Sequence, residues 1–198
     1  LTPDPADSPA VLAAAYGFED GSGTTARDAS THNNDGTLVN GPQWTAGRFG
    51  GALSFDGVND YVTVPASESL AVAPPFTVSA WIQNRDPSHS WERIVNRKAA
   101  YNSPDGWEFT IADPGYARGA IAVLGSGGTT ALLPCVTDWR NVNLNQWVHV
   151  AVVYQPGGAV QLYCNGALTG SGTVGAVAPN SRPVLIGQIG RASCRERV

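Results

Sequence analysis

The feature that most constrains this chain is a series of short apolar segments that turn residues separate at intervals of about ten residues. Within residues 76–82 the apolar side chains alternate, so that Phe76, Val78, Ala80 and Ile82 share one face. Over three turns, no stretch has the i, i+3, i+4, i+7 apolar spacing of an amphipathic helix. The pattern therefore predicts an all-β fold of two antiparallel sheets. The predicted strands are 11–18, 51–55, 61–64, 76–82, 92–95, 107–111, 120–124, 147–154, 159–164 and 183–187.

Some of these segments carry more specific predictions. The turn-rich residues 56–60 separate segments 51–55 and 61–64, which predicts a hairpin. Residues 147–154 are apolar on both faces, which predicts a central strand that is covered on both sides. Asn165-Gly166 directly follows segment 159–164 and is a strong signal for a second hairpin.

Composition and charge exclude several classes of protein. Of the 198 residues 42% are hydrophobic, too many for a disordered chain. The 23 glycines and 14 prolines favour turns over a helical bundle. A net charge of −4 argues against nucleic acid or an anionic membrane as the partner. No apolar run approaches the roughly 20 residues that a membrane-spanning helix needs.

The two ends of the chain differ from the part between them. Residues 1–9 contain three prolines and predict an extended linker, followed by a domain over residues 10–188. The last eight residues contain Arg191, Arg195 and Arg197 against a single acid, Glu196. Residues 189–198 resemble one reading frame of a synthetic sequencing adapter, which predicts a non-native tail; a short basic tail is the alternative.

Four ordered motifs carry a resemblance to a known family. They are AYGFEDGSGTT (15–25) with NDGTL (34–38), FGGALSFDGVNDYV (49–62), FTVSAW (76–81), and QWVHVA (146–151) with LYCNG (162–166). Together they resemble the laminin-G-like jelly-roll domains of the concanavalin A-like lectin/glucanase superfamily. The resemblance implies an antiparallel two-sheet jelly-roll sandwich, of a kind usually appended to secreted bacterial enzymes and surface proteins.

The same resemblance implies a C-terminally truncated domain. In the family, a closing strand follows the segment that corresponds to residues 183–187 and lies near the N-terminal strand. Here the adapter-like residues stand in its place. We therefore expect an unpaired sheet edge at residues 11–18, which would favour aggregation.

Catalysis is not expected. A retaining glycosidase needs two carboxyl groups about 5–5.5 Å apart, and the acidic strand motif that would supply them is absent. Asp105 and Glu108 flank Trp107, but their spacing puts them on opposite faces of a strand. Sequence motifs of serine hydrolases, zinc proteases and phosphate-binding loops are also missing. For His149, a structural place on a sheet face is the favoured interpretation.

Five residues in the loop after the first predicted strand are candidate calcium ligands. Calcium takes six to eight oxygen ligands from carboxylates, amides and carbonyls. The family resemblance supports a structural calcium near the chain termini, held partly by this loop. The alternative is that the same side chains cap turns without metal. The candidates are Glu19, Asp20, Asp28, Asn34 and Asp35, with Asp20, Asp28 and Asn34 ranked first.

The aromatic residues suggest where a ligand would bind. Exposed Trp and Tyr rings stack on the apolar faces of sugars. Trp44, Trp81 and Trp147 lie in apolar strand patterns and are predicted to be core. The predicted ligand surface is formed by aromatic residues in or beside polar loops, with plugging of the sandwich ends as their alternative role. These residues are Trp91, Tyr101, Trp107 and Trp139.

Two cysteines remain once Cys194 in the tail is set aside. Cys135 and Cys164 could form a disulfide, as suits a secreted domain. However, Cys164 follows Val160 and Leu162 at a spacing of two, an inward position that equally suits a buried free thiol.

The sequence thus predicts a non-catalytic carbohydrate- or protein-recognition module, serving adhesion, within a larger secreted or surface protein. Its location would be extracellular, and its partners a carbohydrate or extracellular protein and the neighbouring domains of the parent chain. The alternatives are a glycoside hydrolase fragment of the same fold and a purely structural spacer.

Overall fold

A computed structural model describes residues 11–85, 91–112, 120–135 and 144–188, and their regular secondary structure is almost entirely β-strand. Two 3₁₀ turns, Ser126–Gly128 and Pro156–Gly158, are the other regular elements in these ranges. None of the helices there is long and apolar enough to cross a membrane. The strands are β1 (Thr25–Ala26), β2 (Gly36–Val39), β3 (Gln43–Ala46), β4 (Gly51–Ser54), β5 (Tyr61–Val64), β6 (Phe76–Gln83), β7 (Glu92–Asn96), β8 (Glu108–Ile111), β9 (Ala120–Leu124), β10 (Thr130–Pro134), β11 (Trp147–Tyr154), β12 (Ala159–Cys164), β13 (Ala167–Thr173) and β14 (Val184–Ile186).

The strands form two main sheets and one small one. The larger sheet has eight strands in the order β1-β2-β5-β14-β7-β8-β9-β10. The smaller has four strands in the order β13-β12-β11-β6, and β3 and β4 form a separate hairpin. Every pairing is antiparallel, as expected for a sandwich.

The main hydrophobic core combines residues of both large sheets. Along β11 burial alternates, and Val148, Val150, Val152 and Tyr154 are all buried. They pack in one cluster with Phe109, Ile121 and Val123 of the eight-stranded sheet. Full burial of such side chains contributes about 1.5–3 kcal/mol each.

Most predicted strands are confirmed, but the predicted hairpin of 51–55 with 61–64 is wrong. β4 pairs with β3, whereas β5 lies between β2 and β14. The intervening loop closes on itself, because the Oδ1 atom of Asp56 accepts hydrogen bonds from the backbone N–H groups of Val58 and Asn59. The list of predicted strands lacks β1, β2, β3 and β10, since each is short or contains glycine, threonine or proline, and it gives no range for β13, the second strand of the hairpin predicted at Asn165-Gly166.

Residues 11–18 do not form the predicted strand. Side chains and a loop hold the segment instead: the Ala15 N–H donates to Asp28 Oδ1 at 2.9 Å, and the Ala13 carbonyl accepts from Asn34 Nδ2 at 2.8 Å. The rings of Tyr16 and Phe18 pack against the small core under β2 and β5. The predicted linker and tail, residues 1–9 and 189–198, lie outside the described residues.

The two cysteines form a disulfide. Cys135 directly follows β10 and Cys164 ends β12, and their sulfur atoms are bonded with a Cα–Cα distance of 5.5 Å. The bond therefore links the eight-stranded sheet to the four-stranded sheet. Of the two alternatives left open by the sequence, the structure has the disulfide.

Candidate ligand-binding face

The candidate site lies on the surface of the four-stranded sheet that faces away from the core. Since side chains alternate along a strand, the residues between the core positions of β6, β11 and β12 point outward. This surface is called the outer face below. It consists of Thr77, Ser79, Trp81, Gln83, Trp147, His149, Ala151, Val153, Gln161 and Tyr163.

The outer face corrects two expectations. β11 is central in its sheet, but only one of its faces is buried; Trp147 and His149 are half-buried on the other. Trp81, predicted to be core, is 40% exposed. Its position on the edge strand β6 explains this, because no further strand continues the sheet beyond it.

An aromatic cluster occupies one end of the outer face. Trp81 lies opposite His149 in the β6–β11 ladder, with ring centroids 5.3 Å apart. Phe49 also meets Trp81 edge-on, with ring centroids 5.4 Å apart, and is itself 69% exposed. The Arg48 guanidinium carbon lies 5.5 Å from the Phe49 ring centroid and 5.8 Å from that of Trp81. The cluster thus presents aromatic surface and N–H donors together to solvent.

The turn between β3 and β4 brings Arg48 and Phe49 to Trp81. Both carboxylate oxygens of Glu19 accept from the Gly51 N–H at 3.1 Å, which ties the turn to the segment before β1. Gly50 has φ +78°, a backbone conformation that strains other residues. At Gly51, a Cβ would overlap the backbone carbonyl oxygen of Phe18. Both glycines are therefore required for this close approach.

The three described loop aromatic residues, Trp91, Tyr101 and Trp107, have different surroundings. Trp107 is 5% exposed and contacts Phe76 and Tyr154 in the core, so it offers no stacking face. Trp91 packs on the small cluster of Ala112, Ala120, Ala122 and Leu124. Tyr101 is 52% exposed and lies against Gly128. Trp139 lies outside the described residues.

The sequence signal that could have found the outer face is the spacing of its aromatic residues. Trp147 and His149 alternate with Val148 and Val150, and Trp81 lies between Ala80 and Ile82. Such a strand has aromatic residues on one side and aliphatic residues on the other. Periodicity alone does not say which side is open to solvent.

The acids next to Trp107 are engaged separately. Glu108 is buried, and its Oε2 atom pairs with Arg93 Nε at 2.9 Å. Asp105 lies in the loop before β8, with its Oδ1 atom 4.0 Å from Arg182 Nε. The two carboxylates therefore have different arginine partners, and these contacts do not pair them with each other as a glycosidase site requires.

The predicted calcium ligands all accept or donate hydrogen bonds within the protein. The four lone pairs of the Asp28 carboxylate are used by Ala15 N–H, Ser30 N–H, the Ser30 hydroxyl and Asn34 N–H. Asp35 accepts from the Asp28 N–H, and Asp20 pairs with Arg27. Glu19 binds Gly51, as described above. Among the described residues, no group of three or more His, Cys, Asp or Glu side chains could hold a metal ion. As arranged, these residues do not fit a calcium cage, and calcium binding stays a prediction.

The same hydrogen bonds make Asp28 a source of acid-sensitive stability. Desolvation raises the pKa of Asp28, but hydrogen bonds from Ser30, Ala15 and Asn34 outweigh it and lower the pKa from 3.8 to about 2. A carboxyl whose pKa is lower in the folded state stabilises the fold above its unfolded pKa and loses that effect as pH falls through the folded pKa.

We therefore expect Asp28→Asn to lower the free energy of unfolding at pH 7 by about 1 kcal/mol, after allowance for solvent screening. Urea unfolding between pH 7 and pH 2 measures this, and the variant should lose less stability over that range than the parent. Glu68→Gln, at an exposed position, is the control and should follow the parent. If the free energy of unfolding falls with pH equally in the parent and in Asp28→Asn, Asp28 is not the source of the acid-sensitive stability.

The two antiparallel sheets define a jelly-roll sandwich, and the outer face is the candidate ligand surface on the four-stranded sheet. The family model of the Concanavalin A-like lectin/glucanases superfamily, Laminin_G_3, matches residues 56–195. The chain belongs to this family. No curated protein matches the chain.

Solved structures with the same fold include the binding domains of several toxins. The binding domain of Paraclostridial Mosquitocidal Protein 1 has a TM-score of 0.64 at 18% identity, over 85% of this chain and 43% of that one. The botulinum neurotoxin serotype D binding domain has a TM-score of 0.62 at 19% identity, over 85% of this chain and 42% of that one. The binding domain of botulinum neurotoxin DC in complex with SialylT has a TM-score of 0.62 at 19% identity, over 83% of this chain and 40% of that one. The chain therefore spans less than half of each.

Proposed function

We propose that this domain is a non-catalytic carbohydrate-recognition module that binds a saccharide on its outer face. The observation that carries the proposal is the Trp81 ring, which is partly exposed and contacts both Phe49 and His149. An aromatic ring held in place by its neighbours offers a stacking surface for the apolar face of a sugar at low entropic cost.

Polar groups around Trp81 suit the hydroxyl groups of a sugar. Arg48 lies over the aromatic rings, and Gln83 and Ser79 are the outward neighbours of Trp81 along β6. Binding sites for small polar ligands combine an apolar floor with a few such groups. The sheet backbone holds all of these side chains except Arg48, so little ordering is needed on binding.

Two further observations support a recognition role outside the cell. The Cys135–Cys164 disulfide suits an oxidising compartment. Receptor-binding domains of toxins have the same fold, which supports recognition as a use of this scaffold. A glycosidase of the same fold is less favoured, since Glu108 is buried in an ion pair with Arg93. We infer an adhesion or targeting role within a larger chain.

The test is a glycan-binding screen followed by calorimetry on variants. We expect Trp81→Ala to weaken binding at least tenfold, about 1.4 kcal/mol, because the stacking surface is lost. Tyr101→Ala is the matched control, since it removes an exposed aromatic ring from a loop and not from the outer face. It should bind as the parent does.

Circular dichroism of each variant checks that the fold is intact. The proposal is wrong if no glycan binds the parent domain. It is also wrong if Tyr101→Ala loses binding while Trp81→Ala keeps it, or if a protein ligand and no glycan competes for the outer face.

A further inference from the structure

The outer face has an unusual charge distribution. The chain has 16 acidic and 12 basic residues and a net charge of −4. None of the four strands β6, β11, β12 and β13, all fully described, contains an Asp, Glu, Lys or Arg residue. An anionic protein thus carries one sheet whose surface has no fixed negative charge.

Two arginines lie at the aromatic end of this sheet. Arg48 lies over Phe49 and Trp81, as described above. Arg85 follows β6, and its Nε donates to Gln83 Oε1 at 2.8 Å. Gln83 lies opposite Trp147, one outward position along from the Trp81–His149 pair. Both arginines are exposed, and neither has an acidic partner among the described residues.

The geometry of Arg48 leaves its donors available. Its guanidinium carbon lies 5.5 Å from the Phe49 ring centroid and 5.8 Å from that of Trp81, and among the described residues no hydrogen bond or ion pair engages its N–H groups. Such N–H groups match the two oxygens of a carboxylate or sulfate. The cation–π contact itself is worth only about 0.5–1 kcal/mol at an exposed site. The guanidinium therefore lies close to Trp81, and no described residue uses its hydrogen-bond donors.

We propose that the saccharide bound on the outer face is acidic, with a carboxylate or sulfate held by Arg48 and Arg85 while its ring stacks on Trp81. This inference rests on the proposed function and specifies its ligand class. A neutral sugar would make no charge-assisted contact with these two arginines, which have no acidic partner among the described residues. An acidic one receives charge-assisted hydrogen bonds on a surface where no acidic side chain of the sheet competes.

The experiment compares acidic glycans with their neutralised forms. The probes are polygalacturonate and its methyl ester, chondroitin sulfate and its desulfated form, and polysialic acid and its methyl ester. We expect at least one acidic polymer to bind and its neutral counterpart to bind at least tenfold more weakly. Affinity for the acidic form should also fall as salt rises from low to physiological strength.

Single variants test whether Arg48 and Arg85 bind the anionic group of the polymer. Arg48→Gln and Arg85→Gln should each weaken binding of the acidic polymer by about fivefold to tenfold. Arg27→Gln is the matched control, because it removes the same charge from an 81% exposed side chain next to β1 in the other sheet. It should leave the affinity unchanged, apart from a small general charge effect.

The outcomes separate this inference from the proposed function. If acidic and neutral forms bind equally and Trp81→Ala still abolishes binding, the ligand class is wrong but the binding face stands. If no polymer binds, both proposals fail. If phosphatidylserine vesicles bind in an Arg48-dependent manner and no acidic polymer does, the anion belongs to a lipid headgroup and the saccharide proposal is overturned.

Discussion

Removal of the disulfide between Cys135 and Cys164 is expected to lower the free energy of unfolding by about 3–4 kcal/mol. The two cysteines are 29 residues apart in sequence, and the bond joins the two sheets across the core. Without it, the unfolded chain gains the entropy of an open loop of that length, while the native contacts remain. Such a loss is a large share of the total stability of a domain of this size.

The measurement is urea unfolding of the Cys135→Ala/Cys164→Ala double variant in a Cys194→Ser background. The background removes the third thiol, so that mixed disulfides do not confuse the result. Cys194→Ser alone should unfold as the parent does under oxidising conditions. A double variant within 1 kcal/mol of its background would contradict the expected contribution.

Replacement of Lys98 by methionine is expected to cost about 3 kcal/mol. Lys98 is the single lysine of the sequence, and it is 4% exposed. Its Nζ donates to the backbone carbonyls of Ser103, Asp105 and Gly125, at 3.1, 3.4 and 2.6 Å. Three acceptors match the three N–H groups of an ammonium, and methionine would leave the carbonyls unsatisfied in a buried site.

The burial of Lys98 also permits a labelling experiment. Burial lowers the pKa of Lys98, although the Glu108 and Asp105 carboxylates act to raise it. An amine-reactive reagent should modify Lys98 slowly in the native protein and rapidly after unfolding. Peptide mass spectrometry measures this, and rapid labelling of Lys98 in the native protein would show that the loops do not cover it. Unchanged stability of Lys98→Met would contradict the role of its hydrogen bonds.

The local elements of this fold could be predicted from the sequence. Alternation within 76–82 correctly assigns Phe76, Val78, Ala80 and Ile82 to the core side of β6. The Asn165-Gly166 turn correctly predicts the β12–β13 hairpin, with both residues at positive φ. These predictions succeed because side-chain period and turn geometry act over a few neighbouring residues.

Pairing between distant strands could not be predicted in this way. β4 and β5 are separated by a short loop, yet they belong to different sheets. The strand β14 pairs with β5 and β7, which are remote from it in sequence. Register across such distances depends on the whole set of apolar faces that must be buried together.

At the candidate site, too, the exposure of a side chain could not be predicted from its neighbours in sequence. Trp107 follows the polar residues Asp105 and Gly106 and was predicted to be exposed, but it is buried against Phe76 and Tyr154. Trp81 lies in an apolar pattern and was predicted to be buried, but it is exposed on an edge strand. A polar neighbour in sequence says little about what packs over a side chain in space.

The sequence by itself determined the all-β class, most strand positions, the core side of each alternating strand and the family resemblance. Only the tertiary structure decided which sheet face stays open, that Cys135 and Cys164 are bonded, and that Arg48 and Phe49 meet Trp81. The physical reason is the distance along the sequence over which each effect acts. Alternation arises from backbone geometry within a strand, whereas exposure depends on the segments that distant parts of the chain place above it.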